Sequence, residues 1–255
     1  MSDFVKRNSS APQGFFAWEA AGLRWLGAAD GGVPCADVVD CDETSLTLGR
    51  LKPVAPNQVC AREFGVRLAV THDAGAPGFG AGPDGWTGPG FFGPMAQPLP
   101  MSLVPYDVWG RFYALERLAP MAEIAGSALS AEGRDAVATV VKRCLAGDFD
   151  TDDAPVRLHG DLWSGNVMWT ADGAVLIDPA AHGGHRETDL AMLALFGCPH
   201  LADIIDAYRS VHPLAPGFRT RVGLHQLYPL LAHVVLFGAG YVRQCENAAS
   251  AALVS

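Results

Sequence analysis

The stretch from Leu158 to Asp178, LHGDLWSGNVMWTADGAVLID, carries acidic and amide side chains at short, regular spacing. Asp161 stands five residues before Asn166, and Asp178 closes the apolar hairpin that follows. A carboxylate able to take a proton, then an amide and a second carboxylate, suits phosphoryl transfer. That reaction asks a protein for little covalent work. It needs ligands for Mg²⁺, a group that orients the attacking hydroxyl, and positive charge on the phosphates. Mg²⁺ favours oxygen ligands and takes one or two from the protein. Asp161 is therefore assigned as the base that accepts the hydroxyl proton. Asn166 and Asp178 are assigned as metal ligands, and His159 as a support for the loop backbone.

The neighbouring elements must hold these groups in place. Val156 to Leu158 reads as a short strand entering the loop. Val167 to Thr170 and Val175 to Ile177 flank Ala171-Asp172-Gly173, a good hairpin turn. Nearer the start, Phe4-Val5-Lys6 reads as a strand end, and Gly14 to Leu26 places Phe15, Trp18, Ala21, Gly22 and Trp25 on one side of a helix. Val38-Val39 and Leu46 to Leu48 read as a hairpin with Cys41 to Thr44 as its turn, and Pro53 and Pro56 mark a break. Helices are expected at Ala61 to Thr71, Pro105 to Ile124, Ala131 to Leu145 (with Ser130 as N-cap), Glu187 to Phe196, Leu201 to Ser210 and Arg219 to about Ala249. Residues 74–100 are dense in Gly and Pro yet keep Phe79, Trp86, Phe91 and Phe92, which points to a functional loop rather than disorder.

The 255 residues suffice for one large domain or two lobes around a cleft. Hydrophobic residues make up 49% and charged residues 18%, so a well-filled core is expected. A net charge of −9 and the lack of any long Lys/Arg run disfavour electrostatic binding of nucleic acid. The most apolar stretch, Leu227 to Tyr241, is interrupted by Pro229, His233 and glycines; it reads as a buried helix rather than a membrane span. The first residues, MSDFVKRNSS, lack an apolar signal core, and a cytoplasmic location is expected. Six scattered cysteines without a CxxC pair read as reduced, mostly buried thiols, and no Cys35–Cys41 disulfide is expected.

Two other motifs are set aside. Gly80 to Gly85 matches GxGxxG but lacks the preceding strand and following helix that dinucleotide binding requires. His182 and His185 have no third ligand at zinc-like spacing.

The HGD-x₄-N loop followed by Asp178-Pro179-Ala180 resembles the kinase pattern H-R-D-x₄-N followed by D-F-G. HGD in place of HRD is similar to small-molecule kinases of the aminoglycoside phosphotransferase and choline kinase group. The longer strings HGDLWSGNV, IDPA and RETDLAMLALFG resemble one branch, the fructosamine (ketosamine) kinases. Pro12 to Leu26, His72 with Gly78-Phe79-Gly80, and Gln226-Leu227-Tyr228 with Phe237-Gly238-Ala239-Gly240-Tyr241 extend the resemblance over nearly the whole chain.

The resemblance implies an α+β, protein-kinase-like two-lobe fold. A small strand-containing lobe would span residues 1–52 and a larger, mostly helical lobe 53–255, with the catalytic loop at 158–166 and the metal-binding hairpin at 167–180. It implies ATP and Mg²⁺ as cofactors, Lys6 on the nucleotide phosphates and Glu19 as its ion-pair partner. It implies Asp189 as a brace for the catalytic loop and Trp163 as an apolar wall for the acceptor sugar. Trp86 and Phe91 are further candidate contacts from the Gly-rich loop. The implied reaction is phosphorylation of a sugar hydroxyl, O3 by resemblance, on a small-molecule or protein-bound ketosamine, in glycation repair. Family members carry a glycine-rich loop and two strands before this lysine, so a shortened small lobe is expected. Two alternatives stay open: another acceptor in the same fold, such as an aminoglycoside or choline, and a non-catalytic kinase-like protein.

Overall fold

The computed structural model describes residues 3–254. β1 (Phe4–Arg7), α1 (Phe15–Gly27), β2 (Val38–Cys41) and β3 (Ser45–Leu48) form the front of the molecule. The three strands make an antiparallel sheet in the order β1-β3-β2, with Lys6 opposite Leu46. α1 buries Phe16, Trp18, Leu23 and Leu26 almost completely, so it is a core helix rather than a one-sided surface helix. Its Gly22 packs against Pro179 and Ala181, which sets α1 against the loop after Asp178.

α2 (Gln58–Asp73) starts earlier than the expected Ala61, because the Asn57 side chain caps it by accepting the Cys60 N–H at 3.0 Å. Residues 74–100, read as a loop, contain a hairpin of β4 (Gly90–Phe92) and β5 (Leu99–Met101). Close backbone approach accounts for at least part of the glycine content. A Cβ on Gly80, at φ 93°, would lie 2.5 Å from the Val104 carbonyl oxygen and 2.7 Å from the Phe112 ring.

The helix expected at Pro105 to Ile124 begins at Trp109 and is not uniform. α3 (Trp109–Phe112) widens into π-helical turns at Tyr113–Leu118 and continues as α4 (Ala119–Ala125). α5 (Ala131–Ala146) opens as expected, the Ser130 hydroxyl accepting the Gly133 N–H at 3.0 Å.

Four short strands build the middle: β6 (Val156–Leu158), β7 (Val167–Thr170), β8 (Gly173–Leu176) and β9 (His182–Gly184). β7 and β8 form the expected hairpin. β9, in a segment whose sequence suggests a loop, pairs antiparallel with β6.

α6 (Glu187–Leu195), α7 (Leu201–Val211), α8 (Val222–Phe237) and α9 (Val242–Leu253) follow. The long helix expected at 219–249 is therefore two helices. Gly238, at φ 78°, ends α8, and a short 3₁₀ turn reaches Tyr241. The run Val222–Leu253 is apolar enough by composition to cross a membrane, yet half of its most apolar window is buried inside the protein. Leu224, Leu227, Leu230 and Leu231 are fully buried, which explains the composition by core packing. The main core joins α1 to the helical back, from Phe15 to Ala252. A second core gathers Phe64 of α2, Trp169 of β7 and Tyr208 of α7.

Candidate active site

The loop that carries the HGD-x₄-N motif runs from the end of β6 to the start of β7 and is braced by α6. Asp189, in the first turn of α6, is fully buried. One of its carboxylate oxygens accepts the His159 N–H at 2.8 Å, and the other accepts the Gly160 N–H at 3.0 Å. His72 of α2 also faces the first oxygen, at 3.2 Å through Nε2, and its Nδ1 meets the Tyr208 hydroxyl at 2.8 Å. Burial works against the Asp189 charge, but the His72 contact and the nearby His159, with its backbone amide, outweigh it and hold the carboxyl below its ordinary range. His72 itself is kept neutral by burial.

The loop backbone explains its glycine. Gly160 has φ 81°, and a Cβ there would come within 2.2 Å of the Ala180 carbonyl oxygen. His159 is buried. Its Nδ1 accepts the Asp161 N–H at 3.2 Å, so its Nε2 carries the proton donated to the Ile177 carbonyl at 2.8 Å.

The β7–β8 hairpin returns the chain to the loop. The Ile177 N–H donates to the Asn166 carbonyl at 3.1 Å. The Asn166 side-chain amide donates to the Asp161 carbonyl at 2.8 Å and to the Asp161 carboxylate at 3.3 Å. It lies 3.5 Å from the Asp178 carbonyl oxygen. Asp178 adopts φ 54°, a left-handed conformation that is strained for a residue with a Cβ. Burial, with Asp178 nearby, pushes the Asp161 carboxyl up to about 7, against the lowering effect of the Asn166 amide.

Lys6 reaches across from β1. Its ammonium lies 2.6 Å from a Glu19 carboxylate oxygen and also contacts an Asp178 carboxylate oxygen. Burial alone would lower the Lys6 pKa, but the two carboxylates reverse this and hold it above its ordinary value. The Lys6–Glu19 pairing and the Asp189 contacts expected from the resemblance are therefore present in the fold.

Lys6, Glu19, Asp161, Trp163, Asn166 and Asp178 line one cleft of about 600 Å³. His159 and Asp189 lie behind it, on the loop backbone. The Asn166 amide nitrogen is committed to Asp161, which leaves its carbonyl oxygen for other partners. That oxygen and the Asp178 carboxylate are hard oxygen donors of the kind a divalent cation such as Mg²⁺ takes. The donor set at this end of the cleft fits that ion.

One expected contact is misplaced. Trp86 packs on Trp18 with ring centroids 5.9 Å apart and lines a shallow groove behind α1, outside the cleft. Phe91 does line the cleft, and its carbonyl accepts the Trp18 indole N–H at 3.0 Å. Sequence reasoning also missed much of the far wall. Phe196, His233, Phe237 and Tyr241 all line the cleft. The string Phe237 to Tyr241 was visible as a family pattern, but nothing local ties it to a loop some seventy residues earlier.

The fold brings a third group to His185 that spacing did not reveal. Donor atoms of His185, Glu187 and His225 all lie within 4.8 Å of one another. Most of their polar atoms are already paired, but the buried His225 Nε2 has no hydrogen-bond partner and lies 3.4 Å from a Glu187 carboxylate oxygen. Glu187 takes both ends of the Arg221 guanidinium, at 2.9 and 2.6 Å, His185 faces Thr151 at 3.0 Å, and His225 faces Thr188 at 2.9 Å. All six cysteines are free thiols; only Cys144 and Cys245 are buried, and the other four, expected to be mostly buried, are partly exposed because they lie at element edges rather than in the cores.

The sequence profile of the fructosamine kinase family matches residues 2–254. An Enterococcus faecium protein described as a probable ketoamine kinase is 32% identical over 248 residues, spanning 96% of this chain and 85% of the relative. The crystal structure of a Thermobifida fusca protein assigned as a fructosamine-3-kinase is 45% identical, with a TM-score of 0.90 over 99% of this chain and 86% of the other. An aminoglycoside phosphotransferase structure, 20% identical, superposes with a TM-score of 0.57 over 98% of this chain and 86% of the other, which places the α+β architecture among protein-kinase-like folds. The chain belongs to the fructosamine kinase family, phosphotransferases that act on a hydroxyl group.

Proposed function

We propose that this protein transfers the γ-phosphate of ATP to a sugar hydroxyl, O3 by family likeness, of ketosamines such as fructosamine or ribulosamine adducts. The observation that carries the reading is Asp161. It lies at the cleft with its carboxyl raised to about 7, beside the only amide and the second loop carboxylate of the motif. A base near neutral pKa holds the right protonation state while keeping useful proton affinity.

In this reading Asp161 accepts the proton of the attacking hydroxyl. The Asn166 carbonyl oxygen and the Asp178 carboxylate hold Mg²⁺, and Lys6, oriented by Glu19, meets the phosphates. Bound Mg²⁺ would neutralise phosphate charge and so ease displacement. Asp189 and His159 keep the loop at one height, so that the Asp161 carboxylate faces the acceptor. Trp163, 39% exposed, forms an apolar wall for the sugar. We divide the chain into a small lobe at residues 1–52 and a larger lobe at 53–255, with the site between them. A glycation-repair role in the cytoplasm follows from the family alone.

The cleft lining favours this acceptor over a polycationic one. Its acids are Glu19, Asp161 and Asp178, and Glu19 is committed to Lys6. An aminoglycoside would need carboxylates that the remaining wall replaces with aromatic rings.

The test is phosphate transfer from Mg·ATP to a panel of fructosamine and ribulosamine adducts, aminoglycosides and choline, with Asp161→Ala alongside. Transfer to a ketosamine that Asp161→Ala abolishes supports the reading. Transfer confined to choline or an aminoglycoside overturns the acceptor assignment.

A further inference from the structure

Arg117 is a buried cation on which no carboxylate bonds among the described residues. It is 2% exposed and lies in the π-helical turns at Tyr113–Leu118, where Tyr113, Ala114 and Leu118 are buried beside it. Wide turns of this kind recur at functional positions. The Arg117 Nη1 donates to the carbonyls of Ser102 and Glu116, each at 3.0 Å. Its Nε and Nη2 have no partner among the described residues. Two rings flank the guanidinium, whose carbon lies 4.6 Å from the Phe112 centroid and 5.6 Å from that of Tyr228. The carboxylate next in sequence, Glu116, accepts the Tyr106 hydroxyl at 2.6 Å.

The guanidinium borders a small internal cavity of about 20 Å³. Much of the wall is apolar, with Trp109, Phe112, Met192 and Pro229 in it. Leu158 and Gly160, at the start of the loop that carries Asp161, and His182 of β9 also line it. One water needs about 10–15 Å³ of such space, so the cavity holds a single particle of about that size. Phosphate, carboxylate and nucleotide groups are excluded by volume. No residue of this wall lines the cleft that holds Asp161.

The charge in the cavity comes from Arg117. Burial lowers its pKa, but from a value too high for a guanidinium to lose its proton. His182 adds none: its Nδ1 donates to the Ala180 carbonyl at 2.8 Å, and burial, aided by Arg117, holds its pKa down to about 3. A buried charge without a counter-charge is costly, and water can fill the free N–H bonds without offsetting it. One monovalent anion does both. The volume restricts that anion to a monatomic one. The apolar wall favours a weakly hydrated halide over fluoride, which would give up strong hydration for a few N–H bonds. Met192 is flexible enough to adjust to an ion slightly larger than water.

We propose that Arg117 and this cavity form a binding site for one halide ion, chloride in physiological salt, held by the free N–H groups of Nε and Nη2. With Leu158 and Gly160 in the wall, the bound ion braces the backbone of the loop that carries Asp161, in addition to Asp189. The site depends neither on the acceptor nor on the reaction proposed above.

The first measurement is a set of thermal melts of wild type and Arg117→Met in potassium chloride, bromide and glutamate at equal ionic strength. Glutamate is too large for the cavity and serves as the blank. Wild type should melt about 3–5 °C higher in chloride or bromide at ten times the dissociation constant, and the gain should keep rising with the logarithm of halide concentration. Arg117→Met keeps the length of the side chain and removes the charge, so the difference between halide and glutamate should vanish. Equal differences in the two proteins, or none in wild type, would overturn the proposal.

The second measurement needs no variant and decides the matter if Arg117→Met fails to fold. Crystals of wild type grown in bromide are measured at the bromine absorption edge. An anomalous peak in the cavity, within hydrogen-bond reach of Nε and Nη2, supports the site. Density there that carries no anomalous signal is water, and sinks it.

Discussion

Asp189 and Gly160 are joined by a 3.0 Å hydrogen bond from backbone amide to carboxylate, across twenty-nine residues of chain. With the neighbouring bond from His159 at 2.8 Å, one buried carboxylate holds two successive amides of the catalytic loop. The height of the loop is therefore set by a helix and not by the loop itself.

Asp189→Asn should expose that dependence. An amide in this position offers one acceptor to two N–H donors and turns its own N–H₂ toward one of them. Loss of a buried charge-assisted pair costs about 2–4 kcal/mol. We expect a lower urea midpoint together with a fall in kcat larger than the change in ATP KM. A variant of unaltered stability and kcat would show that the brace is idle.

Asp161 should leave its mark on the pH profile. Its carboxyl is raised to about 7 by burial and by Asp178. The base works only when deprotonated, so kcat/KM should climb with pH through about 7 and level above it. Asp161→Asn should remove that limb and lower kcat by a factor of about 10²–10⁴. A profile that is flat from pH 6 to 8 contradicts the assignment.

The Lys6–Glu19 pair is nearly closed to water, with side chains 15% and 6% exposed. Lys6→Met leaves the Glu19 charge buried without its partner, which should destabilise the fold by about 3 kcal/mol or more. The double variant Lys6→Met/Glu19→Gln removes both charges and should recover a large part of that loss, while ATP affinity stays low. Additive losses in a double-mutant cycle would show that the two residues act independently.

Acid should destabilise the fold through its buried histidines. His72, His159, His182 and His225 are each at most 5% exposed, and burial lowers all four, His182 to about 3 and His225 to about 4. In the unfolded chain they titrate near 6.5, so below that pH only the unfolded state takes up these protons. Stability is full above about pH 6.5 and falls as pH drops toward 4, by up to about 1.4 kcal/mol per pH unit for each histidine. Urea melts at pH 7.5, 6 and 5 measure the slope. No change across that range would mean that these rings titrate alike in both states.

Legibility followed sequence distance. The HGD-x₄-N loop, its hairpin and the closing Asp178 lie within a stretch of 21 residues, and hairpin geometry returns Asn166 to Ile177 with little help from elsewhere. Those assignments could be made from residue type and spacing. The helices at Ala131 and Glu187 were equally readable, because capping and apolar periodicity are local properties. The Gly/Pro-rich segment was not, since the β4–β5 hairpin packs on distant elements, Phe91 on Phe15 and Trp18 and Phe92 on Tyr228, rather than standing on its own propensities. Nor was the break at Gly238, where an apolar pattern continues through a residue with positive φ.

The sequence by itself determined the family and the candidate chemistry: a proposed base, an amide and a carboxylate on one short loop and its hairpin, in a chain recognisable as a kinase of small molecules. The tertiary structure alone decided where that chemistry is delivered. It brought Lys6 to Asp178 across 172 residues, seated His72 beneath the loop through Asp189, turned Trp86 away from the cleft and closed the ring of Phe196, His233, Phe237 and Tyr241 over it. Such relations depend on how helices pack, which is governed by the sum of many weak contacts along the whole chain and leaves no signature at any single position.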